Sequence, residues 1–105
     1  MSGVEKMQLD GDDFSSEGKA IIIRHQPIME CALDILTELV QHKTVTLKAV
    51  GDSIPTAVAV ANVITENMLK GNSKILGIIV DSETTDGKQG MTLLSVIKIT
   101  ITKTN

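Results

Sequence analysis

The sequence predicts a two-layer α+β sandwich with element order β-α-β-α-β-β, a mixed four-stranded sheet carrying two helices on one face. Three observations predict it. One segment repeats apolar residues every three to four positions, the period of a helix with one buried face, and a second is apolar on nearly all sides of a helix. Four segments show continuous apolar runs or strict alternation, the patterns of strands. Both prolines, Pro27 and Pro55, sit where a helix would begin.

The elements follow in order. Lys19 to Arg24 is a first strand built on Ile21, Ile22 and Ile23. Pro27 to His42 is a helix: Ile28, Cys31, Ala32, Ile35, Leu36, Leu39 and Val40 form one apolar face, with Glu30, Asp34, Glu38 and Gln41 opposite. Thr44 to Val50 alternates Val45, Leu47 and Ala49 against Thr44, Thr46 and Lys48, a half-buried strand. Gly51-Asp52-Ser53 is a tight connection, with Ser53 as N-cap and Pro55 in the first turn of a helix from Ile54 to Leu69. That helix carries almost no charge before Glu66, so it must be covered on nearly all sides. Gly71 supplies its left-handed end. Lys74 to Asp81 is a strand with a continuous apolar run. Met91 to Lys103 is the last strand, alternating Ile97, Ile99 and Ile101 with Lys98, Thr100 and Thr102. The polar stretch Ser82 to Gly90, with Asp86-Gly87 near its tip, is read as the loop of a long hairpin arm.

The chain of 105 residues makes one domain. Its net charge of −3 is unevenly placed. Residues 1–18 hold five acidic residues against Lys6, a net −4, and are read as an acidic flexible arm. Residues 19–105 hold nine basic against eight acidic residues, a net +1, and are read as the folded domain. No apolar run is long enough to span a bilayer, and Met1 to Lys19 lacks the apolar core of a signal peptide. The expected location is nucleus and/or cytoplasm, not secreted, with no membrane partner. The single cysteine, Cys31, excludes an internal disulfide and reads as a core thiol.

Enzyme chemistry finds no foothold here. No nucleophile has a convincing histidine partner, and there is no metal-ligand spacing and no glycine-rich phosphate loop. Asp81, Glu83 and Asp86 read as a solvated acidic loop rather than an acid/base pair. No catalytic residue, metal or cofactor is expected. Phe14 is the only aromatic residue, which excludes recognition built on aromatic stacking. The turn Arg24-His25-Gln26 stands instead before a proline-opened helix, where free backbone N–H groups and the helix dipole favour an anion.

Three segments in this order resemble the Alba family of small DNA- and RNA-binding, chromatin- or RNA-associated proteins. They are Ile21-Ile22-Ile23-Arg24-His25-Gln26-Pro27-Ile28-Met29, then Leu47-Lys48-Ala49-Val50-Gly51-Asp52-Ser53-Ile54 running into Ala57-Val58, then Asp86-Gly87-Lys88-Gln89. The resemblance covers about residues 19–104. It implies the β-α-β-α-β-β fold, dimers that lay two hairpin arms along a duplex, and binding to DNA, RNA or both with little sequence preference. It places nucleic-acid contacts at Arg24, His25 and Gln26, at Lys48, and at Lys88 and Gln89. The departures are losses of charge: His25 and Gln26 stand where family members often have two lysines, and Val50 and Asp52 where they often have arginines. The partner is thus a second copy or a related, more basic chain, and a charge-depleted subunit working mainly through protein contacts is the competing reading. His42 is expected to favour the end of its helix through the dipole. The apolar second helix is expected to contribute Val60, Ile64, Met68 and Leu69 to a dimer interface.

Overall fold

The computed structural model describes residues 18–87 and 90–105. The predicted arm, with Phe14, lies outside the described residues up to position 17. The elements are β1 (Lys19–Ile22), α1 (Ile28–His42), β2 (Thr44–Val50), α2 (Ile54–Val63), β3 (Ser73–Gly87) and β4 (Gly90–Lys103). A short 3-10 turn, Gly51–Ser53, leads into α2, and one π-helical turn, Ile64–Met68, follows it. The sheet order is β1-β2-β4-β3, with β1 parallel to β2 and both other pairings antiparallel. This is the predicted two-layer α+β architecture.

The alternation in β2 and β4 sets which face is covered. Val45, Leu47, Ile99 and Ile101 point into the layer between sheet and helices and are fully or almost fully buried. From α1 they meet Ile35 and Leu39, from α2 Val60, and from the π turn Ile64. Truncating a buried leucine such as Leu39 to alanine costs about 2–5 kcal/mol. The opposite face is not simply solvated, as its threonines had implied. Thr46, Thr100 and Thr102 are buried, because they stand on the two central strands. Their hydroxyls satisfy one another across the ladder: Thr46 with Thr100 and Thr44 with Thr102, both at 2.9 Å.

Several element ends differ from the sequence reading. The first strand stops at Ile22, and Pro27 is the N-cap of α1 with ψ 132°, not its first helical residue. Proline restricts the residue before it to extended backbone, which holds Gln26 out of the helix. Ile28 and Val40 are exposed, at 39% and 67%, because they lie at the margins of the apolar face. Ser53 makes no capping hydrogen bond, since the 3-10 turn already gives it helical backbone angles. The predicted Ile54–Leu69 helix is interrupted by its π turn, where Leu69 N–H bonds to the Ile64 carbonyl at 2.7 Å. Gly71, at φ +83°, ends it as predicted.

The largest difference is in the hairpin. Ser82 to Gly87 and Gly90 are paired strand, not loop. Asp86 and Gly87 pair with Met91 and Gly90 instead of forming the tip. Serine and threonine at 82, 84 and 85 read as loop by polarity, but a polar strand serves equally well where no core lies beneath it. At the other boundary, a Cβ at Gly18 would collide with the Thr44 carbonyl, so glycine lets the chain pass close over β2.

Candidate nucleic-acid interface

Strand direction brings Arg24, His25, Gln26 and Lys48 to one end of the sheet. Strands β1 and β2 are parallel, so the loop after Ile22 and the turn after Val50 leave from the same end. Antiparallel β4 enters the sheet there. The last pair of β2 with β4 is Val50 with Val96. The β3–β4 ladder continues beyond it to Gly87 and Gly90. Six further residues of β4 at about 3.3 Å each make an arm of about 20 Å.

The loop after β1 is fixed from beneath. Ile23 is only 2% exposed, and its N–H donates to the Lys48 carbonyl at 2.8 Å. Arg24 and His25 are exposed. Gln26 is half-buried, and its side-chain oxygen accepts from the Arg24 N–H at 3.3 Å. That bond occupies the carbonyl of the amide and leaves its –NH2 group as a donor. No side chain caps α1, so free N–H groups at its start face this loop side. Glu30 in the first turn partly satisfies the dipole and opposes a second anion.

Lys48 lies on the sheet face away from the helices, directly opposite Lys98 of β4. Like charges in that position repel. Glu83 relieves this, with Oε2 at 3.6 Å from Lys48 Nζ. Both side chains remain about a third exposed, at 36% and 35%, so water and salt screen the pair. Lys48, an expected contact, therefore lies at this end of the sheet and is paired with Glu83. Two of the acidic residues expected in a loop stand on strand β3: Asp81 and Glu83 alternate onto the face of Lys48 and Lys98. Lys88 and Gln89 lie outside the described residues, and in sequence they join Gly87 to Gly90.

Of the four residues expected at a dimer interface, Val60 and Ile64 are 0% exposed within the single chain and hold the sheet instead. Met68 and Leu69 are partly buried against the same core and keep part of their surface. The exposed apolar residues are instead Ile78, Val80 and Leu93, at 54%, 74% and 70%, with Val58 of α2 at 39%. By register the first three share the helix-side face of β3 and β4. The signal in the sequence was the uninterrupted run from Ile75 to Val80, apolar on both faces in a strand that the topology puts at an edge.

Cys31 is a buried core thiol. Burial, and secondarily the charge of Asp34, raises its pKa above the ordinary thiol range. His42 contributes at the end of α1 by pairing with Glu38, Nε2 to Oε1 at 3.5 Å. Among the described residues no three His, Cys, Asp or Glu side chains cluster as a metal site, and no helix is long and apolar enough to cross a membrane.

Comparison with known proteins gives two findings. The family model for Alba matches residues 19–78. Among solved structures, Alba from Thermoplasma volcanium is similar with a TM-score of 0.71 and 28% sequence identity, over 80% of this chain and 99% of that one. No curated protein matches.

Proposed function

The chain belongs to the Alba family of nucleic-acid-binding proteins, and we propose that it contacts DNA and/or RNA through backbone phosphates, with little sequence preference, as a dimer carrying two hairpin arms. One observation carries this reading: the Arg24 loop, Lys48 and the root of the β3–β4 arm share one end of the sheet. Phosphate contacts position a protein without reading bases, and each cation that neutralises a phosphate releases a counterion. Arg24, His25 and Gln26 supply donors at the start of α1, Lys48 supplies a cation at the sheet, and Lys88 and Gln89 supply donors on the arm. The apolar patch of Ile78, Val80 and Leu93 supports dimerisation, with a second copy or a related basic chain. The role is binding, without catalysis or cofactor, in the nucleus and/or cytoplasm, on chromatin or in an RNA–protein particle.

A second reading has its own support. The Lys48–Glu83 pair leaves the sheet end nearly neutral, with Asp52, Asp81 and Glu83 against Arg24, Lys48 and Lys98. A chain so balanced suits a subunit that works mainly through protein contacts beside a more basic partner. A salt-series titration on duplex DNA, duplex RNA and single strands, with the mass of each complex determined, separates the two. Binding at low salt by the chain alone, with a linear log–log salt dependence, supports direct contact. No binding to any of the three by the chain alone overturns it in favour of the subunit reading.

A further inference from the structure

A second surface lies on the opposite flank of the domain, away from the β3 patch. Strand β1 is an edge, with nothing paired to its outer side among the described residues. Alternate residues of a strand turn their N–H and C=O groups to opposite sides. Ile23 turns its N–H to β2, and Ile21 faces the same way two residues earlier. Ala20 and Ile22 therefore turn theirs outward. Both side chains are exposed, Ile22 by 61%. Natural sheets usually guard such an edge with charge. Here the available lysine, Lys19, is drawn to α1, with Nζ 3.3 Å from Glu38 Oε1.

Beside this edge runs a cleft of about 450 Å³ between β1 and α1. Ala20, Ile21 and Ile35 give it an apolar floor, Asp34 and Glu38 give it an acidic wall, and Lys19 and Thr37 complete the lining. Glu38 Oε1 is shielded from water and already faces Lys19 and His42, at 3.3 and 3.5 Å. Asp34, exposed and in no ion pair among the described residues, is the carboxylate open to a further cation, and an incoming lysine or arginine can exchange with Lys19 at Glu38.

The spacing of the wall matches one kind of ligand. Residues four apart on a helix are about 6 Å apart along its axis. Alternate residues on a strand are about 6.6 Å apart. A strand added to β1 would thus present successive helix-side residues to Glu38 and Asp34 in turn. Aliphatic stems of Lys or Arg would cover Ile21 and Ile35 while their heads meet the carboxylates. The chain's own residues 1–17 carry five acidic groups against Lys6 and so lack the charge that this wall selects.

We propose that the open edge of β1 and the acidic flank of α1 bind an extended segment of a partner protein that carries Lys or Arg at alternate positions. The segment joins the sheet through Ala20 and Ile22 and is selected by Asp34 and Glu38. This does not depend on nucleic-acid binding, although Ile22 leads directly into the Arg24 loop.

The test uses the full chain without nucleic acid and a fluorescein-labelled octapeptide of alternating valine and lysine, read by anisotropy. Controls are an octapeptide of the same composition with its lysines consecutive and one of alternating valine and glutamate. Saturable one-to-one binding of the first is expected, at least tenfold weaker binding of the second, and none of the third. Ala20→Pro removes an outward N–H at an edge position that tolerates proline, and is expected to weaken binding at least tenfold with the melting temperature nearly kept. Asp34→Asn with Glu38→Gln is expected to do the same and to abolish the preference for alternating lysines. If Ala20→Pro fails to fold, this double variant and amide exchange at Ala20 and Ile22, slowed only by the peptide, decide the matter. Equal binding of both lysine peptides, or indifference to the double variant, overturns the proposal. Slow exchange of those amides in the free chain that is lost on deleting residues 1–17 assigns the edge to the chain's own arm and overturns it too. Slow exchange that appears only with rising protein concentration assigns the edge to a second copy, with the same consequence.

Discussion

Replacing Glu83 with glutamine should convert a nearly neutral sheet end into a stronger phosphate binder. Glu83 holds Lys48 at 3.6 Å, and its removal frees that ammonium for a phosphate. Arg24, Lys48 and Lys88 are the candidate cations of each subunit. With Lys48 engaged, a dimer offers four free cations, and each contributes about 0.9 to the log–log salt slope on duplex DNA, for about −3.6. Freed lysines raise this to six cations and a slope of about −5. Glu83→Gln also leaves Lys48 facing Lys98 with less neutralisation, which raises the local potential in the same direction. The cost to folding is small. The pair is about a third exposed, so it is worth no more than about 1 kcal/mol after screening, a melting shift of at most a few degrees. The assay is anisotropy on one labelled duplex between about 20 and 200 mM salt, with melting followed in parallel. A steeper slope and tighter low-salt binding are expected. An unchanged slope in Glu83→Gln would mean that Lys48 does not meet phosphate, and the counting above fails.

Four further outcomes are expected. Arg24→Glu and Lys88→Glu should each weaken binding to unrelated sequences by similar factors and flatten the salt slope by about 2 per dimer, read by the same titration. Val80→Asp with Leu93→Asp should dissociate the dimer in sedimentation at low micromolar concentration while circular dichroism stays native, because both side chains are exposed in the single chain. Deleting residues 1–17 should tighten binding most at low salt, where the repulsion of their acidic groups is least screened, and should leave the melting temperature almost unchanged. Cys31 should resist thiol reagents in the folded protein. Its raised pKa contributes stability that is complete below the ordinary thiol range and is lost as pH rises through the raised value, so Cys31→Ala should show a flatter alkaline loss of melting temperature.

The fold was legible because its signals are inward-facing and periodic. Val45, Leu47, Ile99 and Ile101 alternate as strands must, and Cys31, Ile35 and Leu39 recur as a helix face must. The arm was legible only as a hairpin, not in its length. Ser82, Thr84 and Thr85 have the polarity of a loop, and a strand without a core beneath it has no apolar alternation to reveal it. The site was legible in position but not in state. Local sequence placed Arg24, His25 and Gln26 before a helix. Nothing local shows that Glu83 reaches Lys48, since the two are 35 residues apart and meet only through the ladder of β4. The burial of Val60 and Ile64 was hidden for a related reason. Val60 and Ile64 look like any exposed apolar surface until the sheet beneath them is counted, whereas Val80 is exposed because β3 is an edge.

The residues that hold the fold are not the cations proposed to meet phosphate, so the two can diverge. Truncating Leu39 or Leu47 would cost about 2–5 kcal/mol, a large share of the 5–15 kcal/mol that holds a domain together. Changing an exposed charge such as Arg24 or Asp52 costs within about 0.5 kcal/mol. A chain can therefore keep the sandwich at 28% identity to an Alba structure while its cations are replaced one by one. Affinity responds quite differently. Each lost phosphate contact removes about 0.9 from the salt slope, and several together reach factors of 10³ or more across ordinary salt concentrations. The fold thus gives no measure of how strongly this chain binds. The measure is the number of cations still free at one end of the sheet, and the Lys48–Glu83 pair lowers that number by one per subunit without touching the core.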